Sequence, residues 1–159
     1  MVDETRMTNV FLHELDACPD DSVGRGKTKR TFAFTCGDMK THDTSFITLM
    51  KNDFVAARAV RSQMHTIDKV DLYNVDCYMV NNHTAEQMIE WVKKAEETNS
   101  LLVILFHGVG GGNSLNVAVP EHSKFLHYLK QNQKDIWIPT MVEAAEYIMN
   151  YQSSKNKGQ

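Results

Sequence analysis

Three cysteines, Cys18, Cys36 and Cys77, are all that the 159 residues contain. An odd number at wide spacing argues against a disulfide framework and against a cysteine-based zinc site. Two of them lie inside apolar segments, where a small buried hydrophobe is the default reading. Long hydrophobic runs are missing as well. The longest is Leu101-Leu102-Val103-Ile104-Leu105-Phe106, far below the roughly 20 residues of a membrane span. The start, Met1-Val2-Asp3-Glu4-Thr5-Arg6, is polar and partly acidic and does not read as a signal peptide. Compartment is therefore left open. A formal charge of −3 gives no electrostatic reason to expect nucleic acid or an anionic membrane as partner. The one basic cluster, Arg25, Lys27, Lys29 and Arg30, lacks interleaved aromatics and reads as a solvated loop.

Several catalytic signatures are missing too. None of the seven histidines stands four residues from another, so no helix turn offers a His-x-x-x-His pair to a metal. His122 and His127, five apart, project about 140° from each other around a helix and read as a solvated face. Ser100 has no Gly-x-Ser-x-Gly elbow. Nothing near Cys36-Gly37-Asp38 would lower the pKa of the thiol. The run Gly108-Val109-Gly110-Gly111-Gly112-Asn113 has asparagine where a dinucleotide fingerprint needs its third glycine. The next helix begins only near Pro120, and no Gly-Lys-Ser/Thr follows. A nucleotide cradle is disfavoured, and a loop able to approach a ligand closely fits better.

What remains is an ordinary globular composition, 42% apolar and 23% charged, with strands and helices in alternation. A first amphipathic helix is expected over 4–18, carrying Met7, Val10, Phe11 and Leu15, followed by a turn-rich loop over 19–26. Residues 30–36 read as a strand. A short helix follows, capped by Asp43 or Thr44 and running to Asn52. Residues 54–60 and 72–80 read as further strands. Thr84-Ala85-Glu86-Gln87 is a capping-box pattern opening a helix to about Thr98, with Met88, Ile89, Val92 and Ala95 inward. After the apolar run, Pro120 can start a helix with Phe125, Leu126 and Leu129 as its buried face. Residues 136–139 read as a last strand and 141–151 as a closing helix. Strands that are apolar throughout imply parallel pairing covered on both faces, an α/β fold. Residues 1–151 are expected to form the domain and 152–159 a frayed polar tail.

In such folds chemistry gathers at the C-terminal ends of strands, and His107 stands at such an end. A strand-end histidine can serve as general acid or base when a carboxylate holds its tautomer. Asp76 interrupts an otherwise apolar stretch, so if that face is buried it needs a partner. The bland alternative keeps equal weight: a satisfied structural histidine and an aspartate that caps a strand or loop.

Lys29-Arg30-Thr31-Phe32-Ala33-Phe34-Thr35-Cys36-Gly37, then Val75-Asp76-Cys77, then Val103-Ile104-Leu105-Phe106-His107 together resemble the C-terminal part of the polysaccharide deacetylases. The resemblance runs roughly from Glu4 to Tyr151, and Leu-x-His closing an apolar strand is its strongest match. It implies a portion of a distorted (β/α) barrel and a metal-dependent carbohydrate esterase. His107 would then be the general acid that protonates the leaving group, and Asp76 the carboxylate that orients it. Leu105 would line the pocket for the acetyl methyl. Cys36 would stand where a backbone N–H helps hold the oxyanion, and Cys77, Gly108 and Gly110 would border the sugar site.

Departures accompany these matches. Ala33 stands where the family has arginine, Thr35 where it has proline, and Cys77 where it has tryptophan. The family's two metal motifs, a strand ending in Asp-Asp and the His-x-x-x-His pair, are missing; Asp20-Asp21 sits in a polar turn. The resemblance implies a divalent metal, zinc or similar, in the intact enzyme, but this chain alone has no ligand set for it. Either the chain is a piece of a longer deacetylase, inactive by itself, or it is a non-catalytic carbohydrate-binding or interaction domain derived from that fold. Acetylated carbohydrate is the implied partner, and family members are often extracytoplasmic. Exposed sheet edges of a partial barrel would favour self-association.

Overall fold

A computed structural model of the chain describes residues 2–16 and 29–156. The expected loop over 19–26, with Asp20-Asp21, Cys18, Arg25 and Lys27, lies outside these residues. The elements run α1 (Val2–Asp16), β1 (Thr31–Ala33), β2 (Lys40–Thr41), β3 (Thr44–Ser45), α2 (Ile47–Met50), β4 (Ala56–Arg58) and β5 (His65–Thr66). They continue with β6 (Tyr78–Met79), α3 (Ala85–Thr98), β7 (Ser100–Leu101), β8 (Ile104–Leu105), α4 (Val119–Gln131) and α5 (Met141–Asn156).

The arrangement is mixed α/β with small parallel sheets. β1 pairs parallel with β4, Phe32 beside Ala57, and β6 pairs parallel with β8, Tyr78 beside Ile104. A parallel bridge between Arg58 and Val75 links the two pairs. Successive residues of an extended chain face opposite ways, and the packing follows that rule. Ala56 joins Val75, Ala145 and Ile148 on the α5 side, while Ala57 joins Phe34, Phe46 and Met50 on the other. Leu101 and Val103 likewise pack toward α5, whereas Leu102, Ile104 and Phe106 pack toward Phe125 and Met88. Burial on both faces is the reason these segments lack polar alternation.

α3 begins as its sequence predicts. The Thr84 hydroxyl accepts from Gln87 N–H at 3.3 Å, and the Gln87 side chain accepts from Thr84 N–H at 2.9 Å. Met88 and Val92 are buried, with Ile89 and Ala95 half-buried beside them. α5 has a reciprocal cap of the same kind: Glu143 accepts from Thr140 N–H at 2.7 Å, and Thr140 Oγ1 accepts from Glu143 N–H at 3.3 Å. Glu121, on α4, reaches across to accept the Ala85 N–H of α3 at 2.8 Å. These backbone donors hold the Glu121 and Glu143 carboxyls below the ordinary value of 4.5, with Lys124 and the Thr140 hydroxyl adding to the effect. A depressed carboxyl contributes stability that is present above its unfolded-state value and lost as pH falls through its folded-state value. The thermal midpoint should therefore fall between pH 5 and pH 3, and Glu121→Gln should reduce that fall, as read by circular dichroism.

Several expectations are corrected. The helix expected from Asp43 or Thr44 gives way to a β2–β3 hairpin, with His42 at φ 51° in its turn, and only one helical turn follows. Residues 136–139 pair with no strand among the described residues, and Trp137 and Ile138 stand exposed. The closing helix runs on to Asn156 rather than fraying after Tyr151, because the Gln152 amide donates to the carbonyls of Ile67 and Val70, both at 3.0 Å. On α1, Met7, Val10 and Phe11 face solvent while Asn9 is buried. Among the described residues no helix is long and apolar enough to cross a membrane.

Candidate functional site

The loop after β8 presents His107 exposed to solvent, directly beyond half-buried Leu105 and Phe106. Its backbone is pinned where Val117 N–H donates to the Gly108 carbonyl at 3.1 Å and Gly110 N–H to the Val117 carbonyl at 2.8 Å. Gly110 has φ 74°, and a Cβ there would lie 2.6 Å from Val119 Cγ2. That glycine is needed for the turn to pack against the start of α4, a structural demand that no phosphate has to explain. Cys36 is exposed in the left-handed region at φ 55°, beside Gly37. Cys77 is fully buried; its thiol donates to the Ala59 carbonyl at 3.3 Å and lies 3.7 Å from the Arg58 guanidinium.

Asp76 is 4% exposed and does need the partner its apolar surroundings demand. It finds several. Gln63 Nε2 donates to Oδ2 at 2.6 Å, His65 Nε2 lies 3.1 Å from the same oxygen, and Arg61 Nε lies 3.9 Å from Oδ1. Oδ1 is buried and accepts no hydrogen bond from the described residues. His107 is not among these partners. Register explains the separation: His65 stands opposite Leu101, six residues before His107 along the chain. At 3.2–3.4 Å per residue, that is about 20 Å of extended chain. The structure thus brings Asp76 to His65 and leaves His107 apart.

Arg61, Gln63 and His65 were missed from the sequence, although a signal was there. Three polar side chains close together in Arg61-Ser62-Gln63-Met64-His65 are that signal, but a tight turn, with Gln63 N–H donating to the Arg61 carbonyl at 2.9 Å, is what gathers them. Chemically the cluster is an imidazole bonded to a buried carboxylate, with an amide and a guanidinium alongside. Among the described residues, no three histidine, cysteine, aspartate or glutamate side chains come together as a metal site. Compared with family models, curated proteins and solved structures, the chain has no match in any of the three.

Proposed function

We propose that the chain is part of a carbohydrate deacetylase domain and contributes the proton donor for removing acetyl groups from acetylated sugars. The observation that carries this reading is His107, an exposed imidazole two residues beyond the parallel strand β8, which ends at Leu105. An imidazole so placed is open to a leaving amine or alcohol and to proton transfer in the transition state. The parallel pairs β1–β4 and β6–β8, with α3 after β6 and α4 after β8, support a portion of a distorted (β/α) barrel as the parent fold. In this reading Leu105 lines the acetyl pocket, the backbone at Cys36 faces the oxyanion, and Gly108 and Gly110 shape the rim. Cys77, being buried, supports the wall rather than touching the sugar.

The divalent metal implied for such enzymes, zinc or similar, would be held by a segment carrying the Asp-Asp and His-x-x-x-His motifs, where it would activate water. The part assigned to this chain is proton transfer and positioning. Exposed Met7, Val10 and Phe11 on α1 support self-association, which sedimentation at increasing concentration would detect as rising mass.

The test is acetate release from acetylated amino-sugar oligomers. Joined to a segment bearing an Asp-Asp strand end and a His-x-x-x-His pair, the chain should release acetate in the presence of zinc; alone it should release none. A second reading, a non-catalytic carbohydrate-binding domain, is favoured by one observation, that Asp76 bonds His65 instead of His107. Sugar binding by the chain alone, with no acetate from the zinc-loaded joined protein, would establish that reading and sink the first.

A further inference from the structure

The Asp76 cluster has the parts of an acyl-transfer site that uses no metal. The Asp76 side chain is 2% exposed and, as a carboxylate, only accepts hydrogen bonds. In its neutral form, a ring that gives its Nε2–H to Asp76 carries its lone pair on Nδ1. The His65 side chain is 39% exposed, and its Nδ1 has no hydrogen-bond partner among the described residues. The side chain is thus open to solvent and to a ligand. Gln63 anchors the carboxylate from a second direction at 2.6 Å. Arg61, mostly exposed, brings its Nε within 3.9 Å of Asp76 Oδ1.

We propose that His65, oriented by Asp76, is a nucleophilic imidazole that cleaves small acyl esters with good leaving groups, at a site distinct from His107. The Nδ1 lone pair attacks the ester carbonyl carbon, the acyl–oxygen bond breaks, and the alkoxide or phenolate leaves with the electron pair. The positive charge that forms on the ring lies against the Asp76 carboxylate. Water then adds to the acyl carbon, the carbon–nitrogen pair returns to Nδ1, and the carboxylic acid departs, its proton passing to solvent. Ester and water are consumed; acid and alcohol are formed. Asp76 and Gln63 are positioning residues, since they act through the ring. The inference does not depend on the deacetylase reading, because it uses neither His107 nor a metal.

The experiment uses the chain alone with p-nitrophenyl acetate at pH 8 and a chelator present, so that metal-dependent deacetylation is silent. The chain should release p-nitrophenolate faster than free imidazole at equal concentration. His65→Ala should remove that excess, and Asp76→Asn should lower the rate about tenfold, the difference between a charged and a neutral acceptor. His127→Ala, an exposed histidine away from the cluster, should leave the rate unchanged. Mass spectrometry of the intact chain sprayed from neutral solution, where an acyl-imidazole survives longer than in acid, should place the acetyl group on His65 by fragmentation, a readout that needs no variant to fold. A rate that survives His65→Ala, a rate no greater than that of imidazole, or acetylation confined to another histidine would overturn the proposal.

Discussion

Replacing His107 with alanine, in the chain joined to a metal-binding segment, is expected to lower kcat for acetate release by about 10²–10⁴-fold, the usual contribution of a positioned general acid. KM should change little, because a proton delivered to a departing group is an interaction of the transition state rather than of bound substrate. His107 is exposed and takes part in no hydrogen bond among the described residues, so the variant should unfold within about 0.5 kcal/mol of the parent. That pairing of a large kinetic loss with unchanged stability separates a catalytic role from a structural one. Full activity in the variant would remove His107 from the mechanism, and with it the observation on which the deacetylase reading rests. The p-nitrophenyl acetate reaction assigned to His65 would be untouched by that outcome.

Phe125→Ala should destabilise the fold by about 3–5 kcal/mol, the range for deleting a buried aromatic ring and leaving a cavity. Phe125 is 2% exposed and packs with Val80, Met88, Val92 and Val117, joining α3, α4 and the end of the β6 segment. Against a total stability of about 5–15 kcal/mol for a domain of ordinary size, that is a large share. Urea unfolding should report it as a lower midpoint at similar slope. Leu126→Ala is the control: the neighbouring side chain is 48% exposed and should change stability by about 0.5 kcal/mol or less. A loss at Leu126 as large as that at Phe125 would mean that α4 is rotated about its axis.

That contrast marks a limit of reading a helix from spacing. Phe125, Leu126 and Leu129 all suit an apolar face, yet adjacent residues point about 100° apart, so the core takes Phe125 and turns Leu126 outward. The same holds for α1, whose Met7, Val10 and Phe11 form a stripe that faces solvent. Spacing reports that residues share a face; it does not report what covers the face. The α3 start was legible because both halves of its cap lie within Thr84–Gln87 and need nothing beyond the local chain. The extension of α5 was not, because Gln152 is held by carbonyls more than eighty residues earlier in the sequence.

Asp76 divides in the same way. Sequence alone required that a carboxylate among Val75, Cys77 and their apolar neighbours have a partner, since desolvating an unpaired charge is too unfavourable. It also set the parallel, doubly covered character of the central strands and put His107 at a strand end. Which histidine meets Asp76 was decided only by the tertiary structure. The choice depends on the register of β5 against β7, which brings His65 level with Leu101 and leaves His107 six residues beyond. Helical and strand periodicities act within a few residues along one segment, so they carry no information about alignment between segments. That alignment is fixed by the packing of the whole core, and here it gives the buried carboxylate to His65.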